Sequence, residues 1–67
     1  MFDQYIIFTE YPDIISVQDL MEMLHISKTT AYRLLHNREI FSFKIGDKYK
    51  IPKESVIDYL NEQEFSN

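Results

Sequence analysis

The chain has 67 residues and a net charge of −4, with no cysteine and one glycine. This length allows one small domain, which buries only about 60% of its unfolded surface. The lack of cysteine excludes disulfide frameworks and thiolate metal sites, and one glycine excludes a Gly-rich phosphate loop. No nucleophile–base signature is evident, and the carboxylates are scattered over the two ends of the chain, so we expect no enzymatic activity, no metal and no cofactor. No signal peptide and no apolar run near 20 residues is present, so we expect a cytoplasmic protein without membrane contact.

The charges are unevenly distributed along the chain. Residues 28–53 contain all seven Lys and Arg and only two acids, whereas residues 1–27 and 54–67 contain nine acids and no base. At a Debye length of about 8 Å, the distant acidic ends are largely screened. A basic segment close to a phosphate can therefore still attract it. This segregation is compatible with DNA binding, and it also fits a protein whose acidic ends meet a partner.

The first 13 residues form an acidic and aromatic extension. Residues 5–8 favour a β-strand, and Tyr11-Pro12-Asp13 ends it. A short strand added to a sheet edge and an arm for dimerisation or partner binding both fit this stretch. We expect the domain itself over residues 14–62 and a tail over residues 63–67.

The first helix is predicted over residues 17–24. Ser16 and Asp19 have the spacing of a capping box, with Asp in place of the usual Glu or Gln. Four apolar residues then follow at i, i+3, i+4 and i+7, which is one face of a helix: Val17, Leu20, Met21 and Leu24. His25 stands where the following turn needs a left-handed residue, so we interpret it as structural.

The second helix is predicted from Ser27, which caps its start, to Asn37, which we expect to be its left-handed C-terminal residue. Ala31, Leu34 and Leu35 mark a narrow apolar stripe. The other side chains are cations and hydrogen-bond donors without a carboxylate: Lys28, Thr29, Thr30, Tyr32, Arg33 and His36. This pattern is typical of the helix that enters a DNA major groove. It is equally typical of an ordinary amphipathic helix with a solvated basic face.

Two alternating runs around Gly46-Asp47 predict a β-hairpin over residues 41–51. A two-residue loop would place Lys48 and Lys50 on the face that carries Phe43 and Ile45. A three-residue loop, Gly46 to Lys48, would bring together the apolar residues Phe43, Ile45, Tyr49 and Ile51, and would pair Lys44 with Lys50. We favour the second register, with Lys48 at the tip. Both lead us to expect an inward apolar face and outward lysines, a pattern that a plain surface hairpin also shows.

A third helix is predicted to begin at Pro52, which suits the first position of a helix. Its buried side is supplied by Val56, Ile57, Tyr59 and Leu60. Its outer face is acidic, with Asp58, Glu62 and Glu64.

The order and spacing of these motifs resemble the excisionase-type, MerR-like winged helix-turn-helix family of phage and transposon excisionases and small regulators. The resemblance spans about residues 14–61 and is carried by five stretches: Ile15–Leu20, Leu24–Ser27, Thr30–Leu35, Lys44–Gly46 and Tyr49–Glu54. The chain departs from the family at His25 and Arg38, where Gly is frequent, and in its acidic balance.

The resemblance implies an α+β fold, in which a helix-turn-helix is followed by a β-hairpin wing and a C-terminal helix, with or without a short N-terminal strand. It implies that the second helix enters the major groove and that the hairpin lies along the adjacent backbone or minor groove. The DNA-binding residues expected are Ser27, Lys28, Thr29, Thr30, Tyr32, Arg33, His36, Lys44, Lys48 and Lys50. Within this set, Arg33 is our candidate for a bidentate contact with guanine.

The function expected is sequence-specific binding of double-stranded DNA by a non-catalytic excisionase, which bends or marks DNA for an integrase. A small transcriptional regulator with the same DNA contacts is the alternative. A third reading, from another class, is a protein-interaction module that has lost DNA binding. The expected partners are duplex DNA, together with an integrase or recombinase, or another copy met through the acidic aromatic termini.

Overall fold

A computed structural model describes residues 9–65, so the strand predicted over residues 5–8 lies outside the described part of the chain. The elements are β1 (Ile14–Ile15), α1 (Val17–Leu24), α2 (Lys28–His36), β2 (Phe43–Ile45), β3 (Lys48–Pro52) and α3 (Lys53–Phe65). The three strands form an antiparallel sheet in the order β1-β3-β2. The predicted α+β arrangement of two helices, a hairpin and a third helix is confirmed.

The starts of α1 and α2 follow from their capping residues. The Ser16 hydroxyl accepts a hydrogen bond from the Asp19 backbone N–H, and the Asp19 carboxylate accepts one from the Ser16 N–H. Ser27 accepts from the Thr30 N–H at the start of α2. His25 has φ +55° and ends α1 in the left-handed conformation. The capping box, the Ser27 cap and the turn role of His25 are therefore confirmed.

The end of α2 differs from the prediction by one residue. Asn37 is not left-handed: its φ is −83°, and its N–H donates to the Arg33 carbonyl as in a continuing helix. Arg38, with φ +60°, is the left-handed residue. The Arg38 N–H donates to Leu35 and the Glu39 N–H to Leu34, which is the Schellman arrangement. Glycine is favoured at this position, because a Cβ there costs about 1–2 kcal/mol.

The hairpin register follows the two-residue loop, so the favoured three-residue loop is wrong. Ile45 pairs with Lys48, and Phe43 pairs with Lys50. Gly46 has φ +66° and is the first of the two loop residues, where a type II′ turn needs a left-handed residue. Lys48 is accordingly the first residue of β3 and does not form the tip.

The expectation of apolar side chains inward and lysines outward is also wrong. Side chains alternate between the two faces of a strand, so this register puts Phe43 and Ile45 on the face of Lys48 and Lys50. Phe43 is 41% exposed and Ile45 is 62% exposed. The opposite face carries Lys44 and Tyr49, and it continues to the fully buried Ile51.

The core lies between the helices and the inner face of the sheet. Its buried members are Ile15, Leu20, Met23, Ala31, Leu34, Leu35, Ile40, Ile51 and Val56. Ile15 pairs with Ile51, so the two-residue strand β1 brings a core side chain to the central strand. Within residues 9–65, no helix is long and apolar enough to cross a bilayer.

The start of α3 is tied to the segment that precedes β1. The Lys53 backbone N–H donates to the Asp13 carbonyl at 2.7 Å, and Lys53 Nζ donates to the Tyr11 carbonyl at 2.9 Å. Pro52 is the last residue of β3 and precedes α3, which is one residue from its predicted place. Val56 and Ile57 are buried, Tyr59 and Leu60 are half-buried, and Asp58 and Glu62 are exposed, while the Glu64 side chain lies outside the described part.

Candidate nucleic-acid interface

One face of α2 is exposed and carries no carboxylate. Its exposed side chains are Lys28, Thr29, Tyr32, Arg33 and His36. A helix advances about 100° per residue, so these five positions fall within an arc of roughly 140°. The buried residues Ala31, Leu34 and Leu35 lie on the other side, against the core. Burial of this stripe therefore fixes which side chains α2 presents to solvent.

The two hydroxyls at the start of α2 bind each other. Ser27 Oγ accepts from the Thr30 N–H at 3.2 Å and donates to Thr30 Oγ1 at 3.1 Å. The remaining N–H groups of the first helical turn lack a partner within a helix, and a helix N-terminus attracts anions. Ser27 and Thr30 therefore maintain the helix start, next to the backbone donors.

The hairpin meets α2 through an aromatic contact. The rings of Tyr32 and Tyr49 lie 5.8 Å apart between centroids, in an edge-to-face arrangement with an interplanar angle of 61°. On the hairpin, Lys44 Nζ lies 5.0 Å from the centroid of the Tyr49 ring. Aromatic pairs contribute about 0.5–1.5 kcal/mol, and exposed cation–π contacts about 0.5–1 kcal/mol. Tyr49 thus holds Lys44 beside the exposed face of α2.

Two open cavities flank this contact. The first, of about 340 Å³, lies between the starts of α1 and α2 and the hairpin, and it is lined in part by Lys28, Tyr32, Lys48, Tyr49, Lys50 and the carboxylate residue Asp47. The second, of about 500 Å³, lies between the end of α2 and β2. Its polar lining is His36, Arg38, Ser42, Lys44 and Tyr49, and its apolar walls are Leu35, Ile40, Phe41 and Phe43. Positively charged side chains border both cavities.

The structure distributes the ten predicted site residues over four places. Lys28, Tyr32, Lys48 and Lys50 line the first cavity, and His36 and Lys44 line the second. Thr29 and Arg33 stand on the open face of α2, while Ser27 and Thr30 form its cap. The three hairpin lysines do not share one face: Lys44 lies on the side of Tyr49, whereas Lys48 and Lys50 lie on the other side of the strands.

Two residues of this surface were missing from the predicted set. Tyr49 lines both cavities and contacts Tyr32 and Lys44. Arg38 borders the second cavity. The sequence signal for Tyr49 was its place between two lysines in an alternating strand. For Arg38 the signal was a basic residue where the resembling family often has Gly.

The arrangement of α1 and α2 defines the class of protein. A three-residue connection joins the two helices, and the second helix presents cations and hydrogen-bond donors to solvent, as in a helix-turn-helix. The family model described as a helix-turn-helix domain matches residues 14–64. The chain therefore belongs to the helix-turn-helix domain family.

Curated proteins of similar sequence point the same way. An excisionase of Streptomyces ambofaciens is 27% identical over 55 residues, which cover 82% of this chain and 89% of that protein. Two strains of Mycobacterium tuberculosis each have a candidate DNA-binding protein that is 29% identical over 52 residues, covering 78% of this chain and 67% of each relative. No solved structure gives a significant match.

Proposed function

We propose that the protein is an excisionase of the MerR-like winged helix-turn-helix type, which binds specific sites on double-stranded DNA. In this proposal α2 enters the major groove, and the β2–β3 hairpin acts as a wing along the adjacent backbone or minor groove. The observation that carries the proposal is the exposed face of α2, where five donor or cationic side chains stand together without a carboxylate. The similarity to an excisionase supports the assignment among DNA-binding functions.

The geometry suggests a distinct role for each part of the surface. Arg33 is exposed and stands clear of both cavities, so we assign it to a guanine edge, with Lys28 and Thr29 in the first turn as further base contacts. Tyr32 and the Ser27–Thr30 start of the helix bind phosphate. His36 and the hairpin lysines Lys44, Lys48 and Lys50 add attraction to the backbone that does not depend on sequence.

Selection of bound sequences from a random duplex pool, followed by affinity measurements on the selected site, tests the DNA contacts. Arg33→Ala should cost about 1–3 kcal/mol of binding free energy and relax the preference at one base position. Lys48→Ala should weaken all sequences similarly and reduce the slope of log K against log salt by about 0.9. A uniform loss with Arg33→Ala and a loss of base preference with Lys48→Ala would contradict the assignment.

A separate experiment tests the excisionase role. One copy offers only a few phosphate contacts, so we expect modest affinity for a single site, and stronger binding on repeated sites or with a bound recombinase. Excision by a candidate partner integrase on its own attachment sites should increase when the protein is added. Site-specific binding without an effect on excision would instead indicate a small transcriptional regulator. No retardation of any duplex at low salt would indicate a protein-interaction module.

A further inference from the structure

Arg38 occupies a backbone conformation that disfavours its side chain. Its φ of +60° lies in the left-handed region, and its place in the Schellman arrangement at the end of α2 is one where glycine is usual. The single glycine of the chain is used elsewhere, at Gly46. Non-glycine residues in strained conformations are concentrated at functional sites. The Arg38 side chain is therefore a candidate for a functional contact.

The Arg38 side chain borders the cavity between the end of α2 and β2. Arg38, His36 and Lys44 supply its basic groups, Ser42 adds a hydroxyl, and no carboxylate is among the described residues that line it. Exposed aromatic rings form one wall, since Phe41 is 66% exposed and Phe43 is 41% exposed. An anion with an apolar flank, such as a phosphate joined to deoxyribose, matches this lining.

The acids of α3 offer the competing explanation. Arg38 also borders a smaller cavity of about 290 Å³, which is lined in part by Asp58 and Glu62 of α3 and by the neighbouring Glu39. Among the described residues, however, no ion pair joins Arg38 to any of these carboxylates, and the Arg38 side chain is exposed. Intramolecular pairing therefore does not account for an arginine in this conformation.

We propose that Arg38 is a DNA-contacting residue, whose guanidinium binds a backbone phosphate of the duplex in the cavity between α2 and β2. Lys44 and His36 complete the phosphate site, and the rings of Phe41 and Phe43 cover the adjoining sugar. The inference rests on the proposed DNA-binding function and adds a contact at the C-terminal end of α2. That end lies opposite the helix start, to which anion binding is usually assigned.

Arg38→Gly and His25→Gly form a matched pair for the test, because both positions are left-handed and only Arg38 borders the cavity. Each substitution should move the urea midpoint of unfolding to a higher concentration, since glycine relieves the strain. Arg38→Gly alone should weaken binding to every duplex, by about eightfold at 0.1 M salt, and lower the salt slope by about 0.9, as loss of one phosphate contact does. Arg38→Lys should keep the wild-type slope.

The outcomes separate this inference from the proposed function. Arg38→Gly with wild-type affinity and slope would overturn the phosphate contact, while leaving DNA binding by the wild type intact. A lower urea midpoint for Arg38→Gly would show that the acids of α3 stabilise the Arg38 side chain. That result would overturn the phosphate contact as well. Arg38→Asn, which is neutral and tolerates the left-handed region, repeats the binding test with a side chain present. A wild-type protein that binds no duplex would refute the proposed function itself.

Discussion

Helix α2 and the β2–β3 hairpin both carry basic residues of the proposed interface, but they are held in place differently. The apolar stripe of α2 is buried, with Ala31 at 0% and Leu34 at 5% exposure. The hairpin instead leaves Phe43 and Ile45 largely exposed, and it meets α2 through Tyr49. The position of α2 is therefore coupled to folding of the whole domain. The loop end of the hairpin depends on its turn and a few local contacts, whereas Ile51 at the other end of β3 belongs to the core.

Leu34→Ala should have the largest effect, because it removes a core side chain from the buried face of α2. Large-to-small changes of this kind cost about 2–5 kcal/mol, which is a large part of the stability of a small domain. Urea denaturation followed by far-UV circular dichroism measures the loss. A change below about 1 kcal/mol would mean that the core does not hold α2, and the contrast with the hairpin would disappear.

Gly46→Ala tests whether the turn sets the hairpin, and should have an intermediate effect. No atom lies within 4 Å of the Cβ that would be added, so the cost comes only from the left-handed φ of +66°, at about 1–2 kcal/mol. The same denaturation experiment applies, with Asp47→Ala as the control in the neighbouring loop position. If Gly46→Ala and Asp47→Ala were equally stable, the two-residue turn would be incorrect.

Ile45→Thr should have the smallest effect, since it keeps a β-branched side chain on the exposed face of β2. A surface substitution of this kind usually changes the free energy of unfolding by less than about 0.5 kcal/mol. Comparing the loss for Ile45→Thr with the loss for Leu34→Ala measures how unequally the hairpin and α2 contribute to the free energy of unfolding. A loss above about 1 kcal/mol would place Ile45 in a packed contact.

The helices could be predicted from the sequence because their signals are local. Ser16 and Ser27 reach N–H groups three residues away, and the apolar spacing of α1 and α2 depends only on helix geometry. The end of α2 was missed by one residue because Asn37 and Arg38 compete for the turn, and intrinsic preference favours Asn. Strand β1 has two residues, which is too short to show a period, and it exists because Ile15 pairs with Ile51.

The candidate site likewise has one part that the sequence predicts and one part that it does not. The exposed face of α2 was predicted, since one buried stripe determines which residues of a helix remain outside. The predicted grouping of the hairpin lysines is wrong because a change in loop length of one residue exchanges the two faces of a strand, and a glycine at the first loop position favours the two-residue loop. Their sequence neighbours mark Tyr49 and Arg38 as candidates, but only the tertiary arrangement of α2 and the hairpin places both residues on this surface.

The contact between Tyr32 and Tyr49 also has a spectroscopic consequence. The protein has five tyrosines and no tryptophan, so its near-ultraviolet emission comes from phenol rings alone. Two of these rings touch each other beside the exposed face of α2. In the proposed complex a nucleobase or phosphate lies beside these rings and quenches them, so docking can be followed in the native chain without an attached dye.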